Sequence, residues 1–205
     1  MSAAAVTEAI FFFGAMSPYS WLAAERIGTL IPGARWEAVF AGAVFRAAGR
    51  SSWGLGEHRA AGLADCEQRA QARGLGPIRW PEPWPTNDVL IARAITFVAG
   101  QPDGHADGQA GAREFALTAM RAAFHDGVDL GAPAAVPEVA RRAGWGVDAV
   151  ARGATTPAVK QALRATTDRA VALGVVGVPT VVVGARRFWG DDQLEAAAGA
   201  VSRGE

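Results

Sequence analysis

Ser17-Pro18-Tyr19-Ser20 stands where a short apolar run gives way to a helical pattern. Serine is a strong N-cap, and proline suits the first helical position. A helix N-terminus presents unpaired N–H groups and about half a positive charge, so an anion docked there is stabilised. For a thiolate, a dipole contribution of about 1 kcal/mol lowers the pKa by about 0.7. A hydroxyl donating to the sulfur adds about 1.5–3 kcal/mol, enough to bring a thiol of pKa about 8.5 close to neutrality. Ser17 is therefore either a plain helix cap or the donor to a bound thiolate, and the residues alone leave both readings open. As a nucleophile, Ser17 would need an adjacent base, and no histidine is near it in the sequence.

Two further segments carry comparable potential. Gly177-Val178-Pro179-Thr180 precedes a β-branched run, where proline belongs at a strand entry. A trans Val178–Pro179 bond makes it an ordinary entry. A cis bond would turn the backbone so that Val178 offers its N–H and C=O to a peptide-like ligand, as an added strand would use them. Phe188-Trp189-Gly190-Asp191-Asp192 reads as a strand end followed by an N-capped helix with acidic first-turn residues. It is either simple capping or a second helix N-terminus that receives a ligand carboxylate, with an aspartate for the ligand ammonium.

Other reactive side chains are sparse. His58, His105 and His125 are too scattered for a metal site or a triad, so no metal is expected. Cys66 is the one cysteine, which excludes an internal disulfide and a CxxC redox pair. It lies among polar residues of a helical stretch and reads as a passive thiol. Of the seven tryptophans, Trp53 and Trp84 fall in irregular connections near the proposed site.

The elements that must position these groups follow from periodicity. Ala9–Phe13 reads as a buried strand, Tyr19 to Leu30 as a helix stopped by Pro32-Gly33, and Arg35 to Phe40 as a second strand. This is a βαβ unit with a parallel strand pair. From Ala43 to Gly174 the pattern is helical, with apolar stripes through Leu90–Val98, Leu117–Phe124, Val136–Ala143 and Val159–Leu173. Gly100 to Gly111 is a polar loop, and Trp80 to Pro85 a rigid proline-rich connection. Strand signals return at Val175, with the dense β-branched run Val178–Val183, then Arg186–Trp189, and a last helix follows. The order βαβ, helices, ββα places an all-helical insertion, residues 43–174, within an α/β domain made of residues 1–42 and 175–205.

The 205 residues carry 20 basic and 20 acidic side chains. A balanced charge gives no reason to expect nucleic acid or an anionic membrane as partner. No run approaches the roughly 18 apolar residues of a membrane span. No basic segment precedes Ala9–Ala15 and no cleavage site follows, so a soluble, cytoplasmic protein is expected.

Taken together, Phe12–Ala23 (FFGAMSPYSWLA), Gly174–Val183 (GVVGVPTVVV) and Phe188–Leu194 (FWGDDQL) resemble the 2-hydroxychromene-2-carboxylate isomerases and kappa-class glutathione transferases. These form part of the DsbA-like branch of the thioredoxin superfamily. Trp84-Pro85-Thr86-Asn87 is similar to that family's Phe-Pro-x-Asn segment. The resemblance implies a thioredoxin-like domain with an inserted helical domain, glutathione as cofactor, a small aromatic-derived electrophile as substrate, and a homodimer. It also implies that Ser17 replaces the first cysteine of CxxC and contacts the glutathione sulfur. The remaining glutathione contacts map to Asn87, Val178, Pro179, Gly190, Asp191 and Asp192, and the substrate pocket to Tyr19, Trp53, His58 and Trp84. Three places, six residues in all, depart from the pattern. Ser51-Ser52-Trp53 replaces a proline-rich segment, His58 falls near the place of a lysine with Ala61 where a tyrosine is common, and Asp191 stands for an uncharged polar residue. A second aspartate is expected to repel the ligand carboxylate and weaken glutathione binding. The alternative reading is a diverged thioredoxin-fold binding protein that has lost glutathione.

Overall fold

The computed structural model describes residues 8–102 and 109–204; His105 and the centre of the Gly100–Gly111 loop lie outside them. β1 (Ala9–Phe13), α1 (Pro18–Leu30) and β2 (Arg35–Ala38) open the chain. Helices α2 (Ala41–Ala47), α3 (Arg59–Ala72), α4 (Val89–Ala99), α5 (Ala110–Asp126), α6 (Ala135–Arg142), α7 (Val147–Gly153) and α8 (Pro157–Ala172) follow. β3 (Thr180–Val183), β4 (Arg186–Trp189) and α9 (Leu194–Arg203) close it. The four strands form one sheet in the order β2-β1-β3-β4. β1 runs parallel to β2, with Ile10 opposite Arg35, and antiparallel to β3, with Phe12 opposite Thr180. The first and last thirds of the chain thus share a sheet, as a thioredoxin-like βαβ…ββα order requires.

β1 explains its own position. All five of its residues are buried, which suits a central strand covered on both faces. Phe11 and Phe13 point to one side, stack at 5.4 Å and join a core with α1, α4, α5, α6 and α9. Ile10 and Phe12 point to the other side, among Val39, Val44, Ala170 and Val182, under α2 and α8. The larger core runs without a break from the sheet into the helices α3–α7.

Two local details differ from the sequence expectation. β2 ends at Ala38 and Phe40 is the N-cap of α2. Its N–H donates to Thr167 Oγ1 on α8 at 3.2 Å, so an alternating pattern is cut short by a contact from a distant helix. The last helix opens with a 3-10 turn over Asp191–Gln193, after Gly190, whose φ of +115° is accessible to glycine but not to side-chain-bearing residues. The Val178–Pro179, Trp84–Pro85 and Glu82–Pro83 bonds are cis. Among the described residues no helix is long and apolar enough to cross a membrane.

Candidate functional site

A cavity of about 780 Å³ opens where the start of α1, α2, the Arg50–Leu55 connection, Trp84–Asp88, Val178–Pro179 and Trp189–Asp192 converge. Ser17, Tyr19, Trp53, Trp84, Asn87, Val178, Pro179, Gly190, Asp191 and Asp192 all line it. His58 does not. It is the N-cap residue of α3, its side chain is 80% exposed, and its Nε2 stands 3.6 Å from Glu57.

Ser17 serves as the cap: its Oγ accepts from the Ser20 N–H at 3.2 Å. Its own N–H donates to Gly14 O, and Gly14 N–H in turn donates to Ser20 Oγ, which cinches the turn. No described acceptor takes the Ser17 hydroxyl proton, and a hydroxyl has both one donor and acceptor capacity. Capping therefore leaves the O–H available to an anion in the cavity, and the two readings of Ser17 are compatible.

Tyr19 is committed elsewhere. Its hydroxyl donates to Asp65 Oδ2 at 2.7 Å, and burial together with this acceptor raises its pKa, so the phenol stays neutral. The ring meets Trp53 edge-on at 5.9 Å. Behind it, Cys66 is fully buried. Desolvation pushes this thiol up to about 12, so it is passive despite its polar neighbours in sequence.

Trp53 and Trp84 form an indole wall on the cavity, their centroids 5.0 Å apart, and Trp80 backs Trp84 at 4.9 Å without reaching the cavity. Trp84 is fixed by donating Nε1–H to Met16 O at 3.1 Å. Arg59 ties the wall to its loop by donating to both Gly54 O and Trp84 O. Glycine at 54 and 62 admits the rings, since a Cβ would stand 2.7 Å from Trp84 and 2.3 Å from Trp53 respectively. The opposite rim carries Arg46 and Arg50, which lie on the cavity and form no ion pair among the described residues. The Arg50 guanidinium lies 4.4 Å from the Trp189 ring centroid, in cation–π range.

Asp191 behaves differently from the sequence expectation. Its side chain is 1% exposed and sits between two guanidiniums, Arg69 of α3, with Nη1 2.8 Å from Oδ1, and Arg73, the C-cap residue of α3, on Oδ2. Arg69 also pairs with Asp65 at 2.8 Å, and Arg26 donates to the Asp191 carbonyl. The carboxylate is thus compensated, and the expected repulsion of a ligand carboxylate is corrected: its charge is spent on fastening α3 to the turn after β4. Asp192 is the exposed one. Arg69, which also lines the cavity, was not singled out from the sequence; two arginines four apart, in the last turn of α3 and at its C-cap, were the available signal.

Asn87 and Asp88 begin α4. Asn87 Oδ1 accepts from the Val89 N–H at 3.0 Å, which leaves its amide N–H groups free to donate. Asp88 is the formal N-cap residue, yet its side chain makes no capping bond. It is 4% exposed, lines the cavity, and accepts from the Met16 N–H at 3.4 Å. Burial pushes its carboxyl up to about 6.

A sheet of this order, with a helix N-terminus and a cis-proline on the same cavity, defines a thioredoxin-like protein. A family model for the DSBA-like thioredoxin domain matches residues 8–202, and the chain belongs to that family. Among solved structures it is similar to a 2-hydroxychromene-2-carboxylate isomerase, with a TM-score of 0.81 and 23% identity over 95% of this chain and 94% of that one. A probable DsbA oxidoreductase from Streptomyces coelicolor follows, with a TM-score of 0.72 and 16% identity over 97% and 89%. A cytosolic disulfide reductase DsbM from Pseudomonas aeruginosa, solved with GSH, matches with a TM-score of 0.61 and 13% identity over 96% and 99%. No curated protein matches the chain in sequence.

Proposed function

We propose that the protein is a glutathione-dependent isomerase or transferase acting on a small, acidic, aromatic-derived electrophile. The observation that carries this reading is the Ser17 hydroxyl: a donor free at the N-terminus of α1, on a cavity that contains no cysteine. The chain's own thiol is buried and held protonated, so thiol chemistry here needs a thiol brought by the ligand. The Val178–Pro179 segment and the amide of Asn87 suit a γ-glutamyl peptide, and the turn after Gly190, whose own N–H donates to Pro179 O, offers the Asp191 and Asp192 N–H groups to its carboxylate. The indole wall suits an aromatic group, and Arg46 and Arg50 suit its carboxylate. The similarity to an isomerase and to a reductase solved with GSH supports the same reading.

In the isomerase version, the glutathione sulfur adds to an unsaturated ring-opened keto acid, the adduct rotates about the new single bond, and the sulfur is eliminated. Ser17 stabilises the thiolate without being a nucleophile. Calorimetry with reduced glutathione, and thiolate absorbance titrated against pH, test this. Ser17→Ala is expected to raise the pKa of the bound thiol by about 1 to 2, from about 1.5–3 kcal/mol of lost hydrogen bonding. Identical titrations would reduce Ser17 to a helix cap, and absence of glutathione binding would favour the diverged binding protein.

A further inference from the structure

The cavity holds three carboxylates, and they are in different states. Asp191 is neutralised by Arg69 and Arg73. Asp192 is exposed to solvent. Asp88 is buried and forms no ion pair among the described residues. An aspartate at a helix N-cap ordinarily spends its side chain on the N–H groups of the first turn. Here Asn87 takes that duty by accepting from Val89, and the Asp88 carboxylate turns back to the Met16 N–H, one residue before Ser17. The carboxylate stands beside Gly14, where a Cβ would press on Ala41 at 3.0 Å and meet Asp88 Oδ2 in ordinary contact at 3.7 Å. The Gly14–Ser17 turn and Val178–Pro179 bring no ionisable side chain to it, and α2 carries its one charge, Arg46, in its last turn. The cavity's other ionisable groups, Tyr19, Arg50, Arg69, Asp191 and Asp192, belong to other segments.

We propose that Asp88 is the general base that accepts the thiol proton of the bound ligand, giving the thiolate that Ser17 stabilises and whose sulfur attacks the electrophile. This rests on the glutathione reading above. The S–H bond breaks and an O–H bond forms on the Asp88 carboxylate; the sulfur electron pair then forms the S–C bond. The π pair of the carbon–carbon double bond moves onto the conjugated carbonyl, whose oxygen becomes an enolate. In elimination the enolate pair reforms the double bond, the S–C bond breaks, and Asp88 returns its proton to the leaving sulfur. Ser17 holds the sulfur from the other side by donating to it. A carboxyl near 6 suits the task, because a base works best when its pKa lies close to the operating pH.

The test uses the full chain, reduced glutathione and benzylideneacetone, an unsaturated ketone whose conjugation is followed by absorbance. Asp88→Asn keeps an oxygen for the Met16 N–H but accepts no proton; Asp88→Glu keeps the acid. The wild type is expected to show a rate that rises to a plateau above about pH 6. In Asp88→Asn the rate at pH 7 falls about a hundredfold to ten-thousandfold, the inflection disappears, and calorimetric glutathione affinity is unchanged. Activity in the variant recovers as pH approaches the ordinary thiol value of about 8.5, and Asp88→Glu restores an inflection. If Asp88→Asn binds glutathione and retains the wild-type rate and profile, the assignment is overturned while the glutathione reading stands. Loss of glutathione affinity in Asp88→Asn would also overturn it, making Asp88 a positioning residue for the Ser17 turn. A wild type that gives no heat with glutathione would remove both.

Discussion

Asp88 carries a cost to the fold that a pH series of melting curves exposes. An aspartate titrates at 3.8 when solvated, and burial lifts Asp88 to about 6. Between these values the folded chain binds a proton that the unfolded chain has released, so stability falls as pH rises from about 4 to about 6. Above that window the folded state bears the full penalty. At about 1.4 kcal/mol per pKa unit it amounts to about 3 kcal/mol, the uncompensated remainder after the Met16 N–H has donated. Asp88→Asn removes the ionisation and preserves the acceptor. The variant is expected to be more stable than the wild type at pH 7 by up to about 3 kcal/mol, or about 6–12 °C in melting temperature for a chain of this size. At pH 4 the two proteins should melt together. Differential scanning calorimetry across pH 4–8 measures both arms. A wild type that melts above the variant at pH 7, or a difference independent of pH, would show that the carboxylate has a favourable partner and that the burial argument is wrong.

Two other substitutions test the walls of the cavity. Asp191→Asn removes the counter-charge of Arg69 and Arg73. Breaking a buried pair costs about 3–5 kcal/mol, and water reaching the guanidiniums, which are 30% and 20% exposed, reduces this to about 1–3 kcal/mol; urea unfolding measures it, and calorimetry should show weaker glutathione binding. Gly62→Ala places a Cβ against the Trp53 ring and displaces it; loss of its aromatic contacts, about 0.5–1.5 kcal/mol, is expected to raise the electrophile KM about two- to tenfold and leave glutathione affinity intact.

Legibility in the sequence followed the range of the interactions. Ser17-Pro18 and Val178-Pro179 were readable because capping and proline geometry depend on neighbours in the chain. The sheet was readable because β1 and β3 are continuous apolar runs, the mark of strands covered on both faces. The partners of Asp191 were not readable, since Arg69 lies 122 positions away and charge alone suggested repulsion. Cys66 looked polar in its local context, whereas the packing of α3 against α1 buries it. His58 was mapped by position in a resemblance, which carries no information on the direction of a side chain at a helix start. Asp88 carried no local signal, since an aspartate is ordinary at the head of a helix; its turn toward the Met16 N–H, 72 positions away, is a tertiary contact.

The pairing of β1 with β3, Phe12 against Thr180, has a consequence for how the protein is made. A ribosome emits β1 well before β3, so the central strand waits with one edge open while the intervening helices are made. Its register partner on that side does not yet exist. The exposed Phe11–Phe13 run is a liability for association during that interval, and contacts between such distant positions close slowly. The cavity shares this schedule, because Ser17 and Asp88 emerge long before Val178 and Asp191. Chains interrupted before β3 lack the strand that completes the sheet and one wall of the cavity, so β3 and the turn after β4 decide whether sheet and cavity close or the open edge of β1 finds another chain.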